Sequence, residues 1–370
     1  MAVSDNKRIF YACQAVAITN MGKGTVDPGD MVHGLQSIGI TTNFNLEQAF
    51  ELGQIEIYEN IEGLPDVEVT LEKVLDGYPL MYHMASTGVV GTPNSGLVAR
   101  SKQQCDLRLG IYDEADDNVA GQDAPIEVYC SGMYISSISY TIPVDGNVTE
   151  SVTLVGNNKR WISGTGSTVL ALDDSAAFNG SNSPLALIGG SGGIQRREDV
   201  LLVSSVLPTS INGIVTNALG NGLNGTTPRV HIQNVTISTD FSREDILELG
   251  RKGPYYRAPG FPIEVTCEIE AISASGDFVE AIEEGRPDYV GTVNQGNNTS
   301  SDTIFFTLRG GYSFDLGTKN RLSSVSYGGG DAGGGNVSCT YSYSTYNKLD
   351  VRAIHQTTGG NSWEELNPDY

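Results

Sequence analysis

Histidine, cysteine and basic side chains are all scarce in this 370-residue chain, and each scarcity removes a class of function. The four histidines, His33, His83, His231 and His355, form no HxH or HExxH pattern, so a histidine-based metal centre is not expected. The five cysteines, Cys13, Cys105, Cys130, Cys267 and Cys339, are odd in number and scattered, with no CxxC pair. Neither a disulfide framework nor a zinc site fits that spacing, and buried free thiols are the expectation. The glycines from Gly189 to Gly193, a literal GxSxG, read as linker instead of a strand-to-helix elbow, and no pair of carboxylates is marked as a catalytic acid and base, so the chain reads as a non-enzyme. No run of 18 apolar residues exists, and the opening MAVSDNKRIF has no apolar signal core. Secretion and membrane anchoring are therefore not expected. Lysine and arginine total 22 against 44 acidic residues, a formal net charge of −22. The surplus is shared, with 9 basic and 21 acidic residues up to position 165 and 13 and 23 after it. A chain this acidic lacks the basic footprint that grips nucleic-acid phosphates.

What is present is a repeat. LQSIGITTNFNLEQAFELG (Leu35 to Gly53) answers IQNVTISTDFSREDILELG (Ile232 to Gly250) at a constant offset of 197. VEVTLE from Val67 answers IEVTCE from Ile263 at 196. Ser136–Tyr140 answers Ser323–Tyr327 at 187, and Gly146-Asn147-Val148 and Asn158-Lys159 answer Gly335-Asn336-Val337 and Asn347-Lys348 at 189. Order is kept while the offset drifts, as in two homologous domains that differ in loop length. The expected limits are 1–165 for the first domain, 166–198 for a Gly/Ser/Asn-rich linker or arm, 199–355 for the second domain and 356–370 for a tail.

Short β-branched and aromatic runs dominate both copies: Ile126–Val128, Tyr134–Tyr140, Ser151–Val155, Ile263–Ile269 and Thr303–Leu308. Asp145-Gly146-Asn147 reads as a hairpin turn. One short helix is expected per copy, Asn45–Leu52 and Ser242–Leu249. Asn45 and Ser242 would be the N-caps, Glu47 and Glu244 would sit in the first turns, and Gly53 and Gly250 would end them. Ile18–Met31 and Asn212–Pro228 read as corresponding long polar loops, and Gly328–Gly335 as a further loop. His33 and His231, each after a valine, read as a matched structural pair at a domain rim. Residues 162–193 fit either a flexible tether or an arm added to a neighbour's sheet, with the arm preferred.

Two motifs suggest ligands but lack the right surroundings. Gly220-x-Gly222-x-x-Gly225 is followed by Thr226-Thr227-Pro228 instead of a helix, so it reads as a loop, and no cofactor is expected. Asp113–Asn118 is acidic without the spacing of a calcium loop.

YISSISYTIPVDGNVTESVTLVGNNKRW (Tyr134 to Trp161), with the unit LQSIGITTNFNLEQAFELG, resembles the tail tube proteins of tailed bacteriophages. The second copy departs from the pattern where SCTYSYST (Ser338 to Thr345) replaces TESVTLVG. The resemblance implies an all-β fold with minor α: two tandem tail-tube-like β-sandwich or barrel domains, each flanked by one short helix. It also implies a virion tail protein, assembled in the host cytoplasm. Trimeric, pseudo-hexameric rings would stack into a conduit, with other phage tail proteins as partners and double-stranded DNA passing without specific binding. Asn45, Glu47, Phe50, Ser242, Glu244 and Leu247 are the candidate subunit or ring contacts. Two other readings stay open: a distal-tail ring protein near the baseplate, and a carbohydrate-binding β-sandwich module or adhesin.

Overall fold

The computed structural model describes residues 9, 11–53, 55–86, 96–112, 124–163, 169, 194–201, 208, 211, 231–272, 279, 302–308, 311–329 and 335–353. The expected loop at 212–228, the glycine motif at 220–225, the acidic run 113–118 and nearly all of the segment 166–193 lie outside them.

The fold is all-β with minor α, and the described residues delimit two short α-helices, Met81–Met84 (α1) and Leu97–Arg100 (α2). In the first half the strands are β1 (Gln14–Asn20), β2 (Leu35–Asn43), β3 (Leu46–Phe50), β4 (Ile57–Glu62), β5 (Asp66–Val74), β6 (Gln104–Ile111), β7 (Ile126–Pro143), β8 (Thr149–Gly156) and β9 (Asn158–Ser163). In the second they are β10 (Val200–Leu201), β11 (Ile232–Asp240), β12 (Glu244–Ile246), β13 (Tyr256–Ala258), β14 (Glu264–Ile272), β15 (Phe305–Leu308), β16 (Tyr312–Asp315), β17 (Arg321–Gly328), β18 (Ser338–Tyr346) and β19 (Asp350–Ala353).

Every expected strand is found, and Gly146 (φ 112°) makes the turn between β7 and β8. β1 extends to Asn20, so the expected loop at Ile18–Met31 starts three residues late; Ile18 is buried strand.

Strand order shows how the repeat is built. The path β2-β5-β8-β7 in the first half recurs as β11-β14-β18-β17 in the second, and all eight strands form one continuous antiparallel path. A second layer, β1-β6-β7-β9, recurs as β10-β15-β16-β19, with β7 long enough to serve both layers of its copy. The copies also share their irregularities. A bulge falls between Leu35 and Ser37 in β2 and between Ile232 and Asn234 in β11; another falls between Ile135 and Ser137 in β7 and between Leu322 and Ser324 in β17. Since a bulge sets register, these coincidences align the copies residue by residue. They keep the offsets 197, 187 and 189 but change one. Thr42 pairs with Val67 and Thr239 with Val265, so β5 maps onto β14 at 198, two residues from the best sequence match. A two-residue slip leaves every side chain on its own face, which is why alternation alone could not detect it.

The two expected helices are absent. Asn45–Leu52 instead contains β3, paired with β4, and Ser242–Leu249 contains β12, paired with β13. Asn45 and Ser242 sit at φ 47° and 44°, left-handed positions no N-cap adopts. In each copy the residue two before accepts from that backbone: Asn43 Oδ1 from Asn45 N (3.2 Å), Asp240 Oδ1 from Ser242 N (2.7 Å). This Asx turn launches a hairpin. Gly53 and Gly250, at φ 96° and 86°, provide positive φ in the turns following β3 and β12 instead of ending helices. Among the described residues both delimited helices, α1 and α2, lie in the first copy, and neither stands where a helix was expected. His33 and His231 are not equivalent either. His33 is buried and stacked on Tyr78 at 4.0 Å, while His231 is exposed and matches Gly34, whose carbonyl likewise accepts from a glutamine two residues on.

One core spans both copies. Tyr140 of β7 packs on Phe314 of β16 with centroids 4.8 Å apart, and His83 of α1 contacts Val351 O of β19 at 2.9 Å. All five cysteines are buried free thiols. Glu150, fully buried on β8, holds the start of α1 by accepting from Met81 N (2.7 Å), Tyr82 N (3.1 Å) and the Tyr140 hydroxyl (3.0 Å). Burial raises its carboxyl above the ordinary value; Lys73 and these donors oppose the shift without cancelling it. A raised folded-state value means this contribution to stability is complete below the unfolded carboxyl's range and is lost as pH rises through the folded value. The stability of the native chain relative to Glu150→Gln is therefore expected to fall as pH is raised above about 4.5 in urea titrations of the two proteins. A difference that does not change with pH would contradict this account.

Candidate assembly surface

The two copies meet at a strand junction, β7 against β11. Seven residue pairs join them, from Asn234↔Pro143 through Ile237↔Tyr140 to Asp240↔Ser137. The last strand of the first copy's path thus pairs with the first strand of the second copy's path. This arrangement is head to tail, so among the described residues it leaves the mirror-equivalent edges open: β2, the first strand of copy one, and β17, the last strand of copy two.

Equivalent residues show what those open edges lack. Phe241, just after β11, is fully buried and its N–H donates to Ser136 O on β7 (2.8 Å). Its counterpart Phe44, just after β2, is 61% exposed. Tyr140 on β7 is fully buried, whereas its counterpart Tyr327 on β17 is 54% exposed. Val235 and Ile237 are buried, while Ile38 and Ile40 are only half-buried; Ile135 and Ile138 are buried, while Leu322 and Val325 are half-buried. The same apolar positions are therefore covered where the junction exists and uncovered where it does not. An edge strand with such side chains is a template for pairing.

The hairpins flank the junctions. The β12–β13 hairpin docks on copy one: Arg243 donates to Ile135 O (2.8 Å) and Ser101 O (2.6 Å), and Arg257 pairs with Asp66 at 2.7 Å. Arg243 also lies over the Tyr134 ring at 4.9 Å, and Tyr256 meets Tyr134 edge-on at 5.9 Å. Burial lowers the Arg243 guanidinium to about 10, still charged at neutral pH. Among the described residues, no such surface lies beneath the β3–β4 hairpin. Phe50, Leu52, Ile55 and Tyr58 are all exposed along it. The expected contact residues all belong to these two hairpins or their entrances. Asn45 donates to Leu64 O (2.9 Å) and Asp66 Oδ2 (2.7 Å), shaping the turn into β3. Glu47 and Phe50 lie exposed on β3, Glu244 is exposed on β12, and Leu247 is exposed just beyond it. Ser242 lines a groove instead. The uncovered edge residues Ile40, Val325 and Tyr327 are not among the expected contacts, because edge status is not written in a strand's own composition.

The face of the eight-strand path turned away from the core is polar. Serines and threonines such as Ser139, Thr153, Ser238 and Ser342 alternate with the buried residues, and Glu68, Glu72, Glu264, Glu268 and Glu270 add carboxylates. Arg321, at one end of β17, is the only basic residue on the outward side of these strands. A groove of about 470 Å3 crosses this face over the junction, lined by groups including Ser137, Ser139, Asp240, Ser242 and Glu264, with no histidine, cysteine or lysine.

No protein-family model and no curated protein sequence matches the chain. Among solved structures, it is similar over 44% of its length to the whole of the tube-terminating cap of the anti-feeding prophage, at 14% identity and a TM-score of 0.29. A chain of the sheath–tube complex of an extracellular contractile injection system, in the extended state, matches 44% of this chain and 95% of its own length, at 10% identity and a TM-score of 0.30. The sheath/tube terminator of such a system matches 43% of this chain and 100% of its own, at 12% identity and a TM-score of 0.31.

The buried and exposed phenylalanines should respond differently to truncation. Phe241→Ala is expected to cost about 3–5 kcal/mol in the unfolding of dilute chain, and Phe44→Ala no more than about 0.5 kcal/mol. Equal losses in chemical denaturation would mean that the two positions do not face equivalent junctions.

Proposed function

We propose that this chain is the major tail tube subunit of a tailed bacteriophage, with three chains closing into a pseudo-sixfold ring and rings stacking into a conduit for DNA ejection. The observation that carries the reading is the head-to-tail β7–β11 junction between two equivalent copies, which leaves the complementary edges β2 and β17 open. A heterologous contact that repeats by rotation closes into a ring. If β17 of one chain adds to β2 of the next, every edge of the eight-strand paths in the ring is paired.

Size and charge support the same reading. The path has eight strands, so three chains would set 24 around a barrel. At about 4.8 Å per strand that gives roughly 115 Å of circumference, or about 37 Å across at the backbone before strand tilt. Such a barrel leaves room for a DNA duplex after side chains are added. Two chains would leave too little. With the second layer and its core on the outside, the hydroxyl- and glutamate-bearing face lines the bore. Carboxylates in that bore repel passing phosphates, and hydroxyls offer DNA no ionic hold. No step in this function needs a metal, a cofactor or a catalytic group.

Electron microscopy of concentrated purified chain is expected to show rings or tubes with three subunits and six similar wedges per turn. A chain that remains monomeric at high concentration overturns the proposal. Densitometry of virions separates the tube from a distal-tail ring, since a tube subunit is expected among the most abundant bands.

A further inference from the structure

We propose that Glu59 of one chain and Arg321 of the next form the ion pair that selects the junction between chains. It stands where the junction within a chain has Tyr256 edge-on to Tyr134. The inference rests on the head-to-tail reading above and deepens it, because it states how the two kinds of junction are told apart.

The equivalences follow from strand register. Glu59 pairs with Ala49 in the first hairpin as Tyr256 pairs with Ile246 in the second. Arg321 pairs with Ser344 across β17–β18 as Tyr134 pairs with Val155 across β7–β8. Carried onto the open edges, the β7–β11 register sets Thr42 of one chain opposite Val325 of its neighbour, Ile40 opposite Tyr327, and Phe44 N–H toward Ser323 O. The first hairpin then docks on the neighbour's second copy. Glu59 replaces Tyr256, Leu46 replaces Arg243 and Asn60 replaces Arg257. On the receiving side, Arg321 replaces Tyr134 and Glu264 replaces Asp66. All five substituted residues are exposed in the single chain. Glu59 and Arg321 belong to opposite ends of the eight-strand path, so the pair forms only between chains.

The exchange of aromatic for ionic chemistry has a consequence for specificity. Within the chain, Arg243 packs 4.9 Å over Tyr134. If the β12–β13 hairpin of one chain docked instead on β17 of another, Arg243 would meet Arg321, and two guanidinium groups would share one site. That junction is disfavoured, whereas a hairpin carrying Leu46 and Glu59 fits: Leu46 covers the methylene stem of Arg321 and Glu59 meets its charge. Repulsion in the wrong junction and attraction in the right one together keep the copies alternating around the ring.

The test is charge reversal read as the concentration at which rings form, by sedimentation velocity and electron microscopy. Glu59→Arg and Arg321→Glu singly are each expected to raise that concentration about tenfold or more, and the double reversal to bring it back within about threefold of the native chain. Melting of dilute monomer should be unchanged in all three. Where a reversal lowers that melting, the neutral variants Glu59→Gln and Arg321→Gln supply the readout, and both are expected to weaken the salt dependence of assembly. Single reversals that assemble like the native chain, or a double reversal no better than the singles, overturn the ion pair while the ring stands. Native chain that forms no ring at any concentration overturns the head-to-tail reading and the pair with it.

Discussion

The antiparallel pairing of β7 with β11 is the constraint on which the rest of this structure depends. It turns two four-strand units into one eight-strand path and merges their cores, so that Tyr140 of the first copy packs on Phe314 of the second. Because the pairing joins the end of one unit to the start of the next, it cannot satisfy both units fully. One edge of each is used and one is left open. The contrast between buried Phe241 and exposed Phe44 is the local expression of that geometry, as is the contrast between Tyr140 and Tyr327. The junction inside the chain shows how these positions are covered when a neighbouring strand is present.

In the proposed ring, duplication also frees the junction within the chain and the junction between chains to differ. Within the chain the contact is covalently guaranteed and has become rich in arginine and tyrosine, with Arg243 and Arg257 anchoring the second hairpin to carbonyls and to Asp66. The equivalent first hairpin keeps a plainer surface of Leu46, Glu59 and Asn60. In the proposed ring that hairpin would meet a separate chain, and such a reversible contact gains from charges that are easily solvated before assembly. The same economy appears on the polar face of the sheet, where hydroxyls and glutamates occupy the outward positions that the strand alternation provides.

The hairpins show where local reading misleads. NLEQAFELG and SREDILELG carry a good N-cap residue, early acidic residues and a terminal glycine, all consistent with a helix. Each of these signals is met differently: Asn45 and Ser242 take left-handed backbone after an Asx turn, and the glycines supply positive φ in turns. What overrides helical propensity is the partner strand ten or so residues on, IYENIE in the first copy and YRA in the second.

The sequence by itself determined the β-rich class, the duplication and its order, the acidic surplus and the buried thiols, because each of these resides in composition, alternation or self-similarity along the chain. It also carried three of the four offsets between the copies. The fourth, for β5 and β14, needed the shared bulges, since a shift of two residues changes no side chain's face. Only the tertiary structure decided that the two copies join edge to edge, which strands are left as edges, and that the hairpins replace helices. These depend on what lies beside a strand in space, and β2 and β11 have nearly the same residues whether or not a neighbour is there.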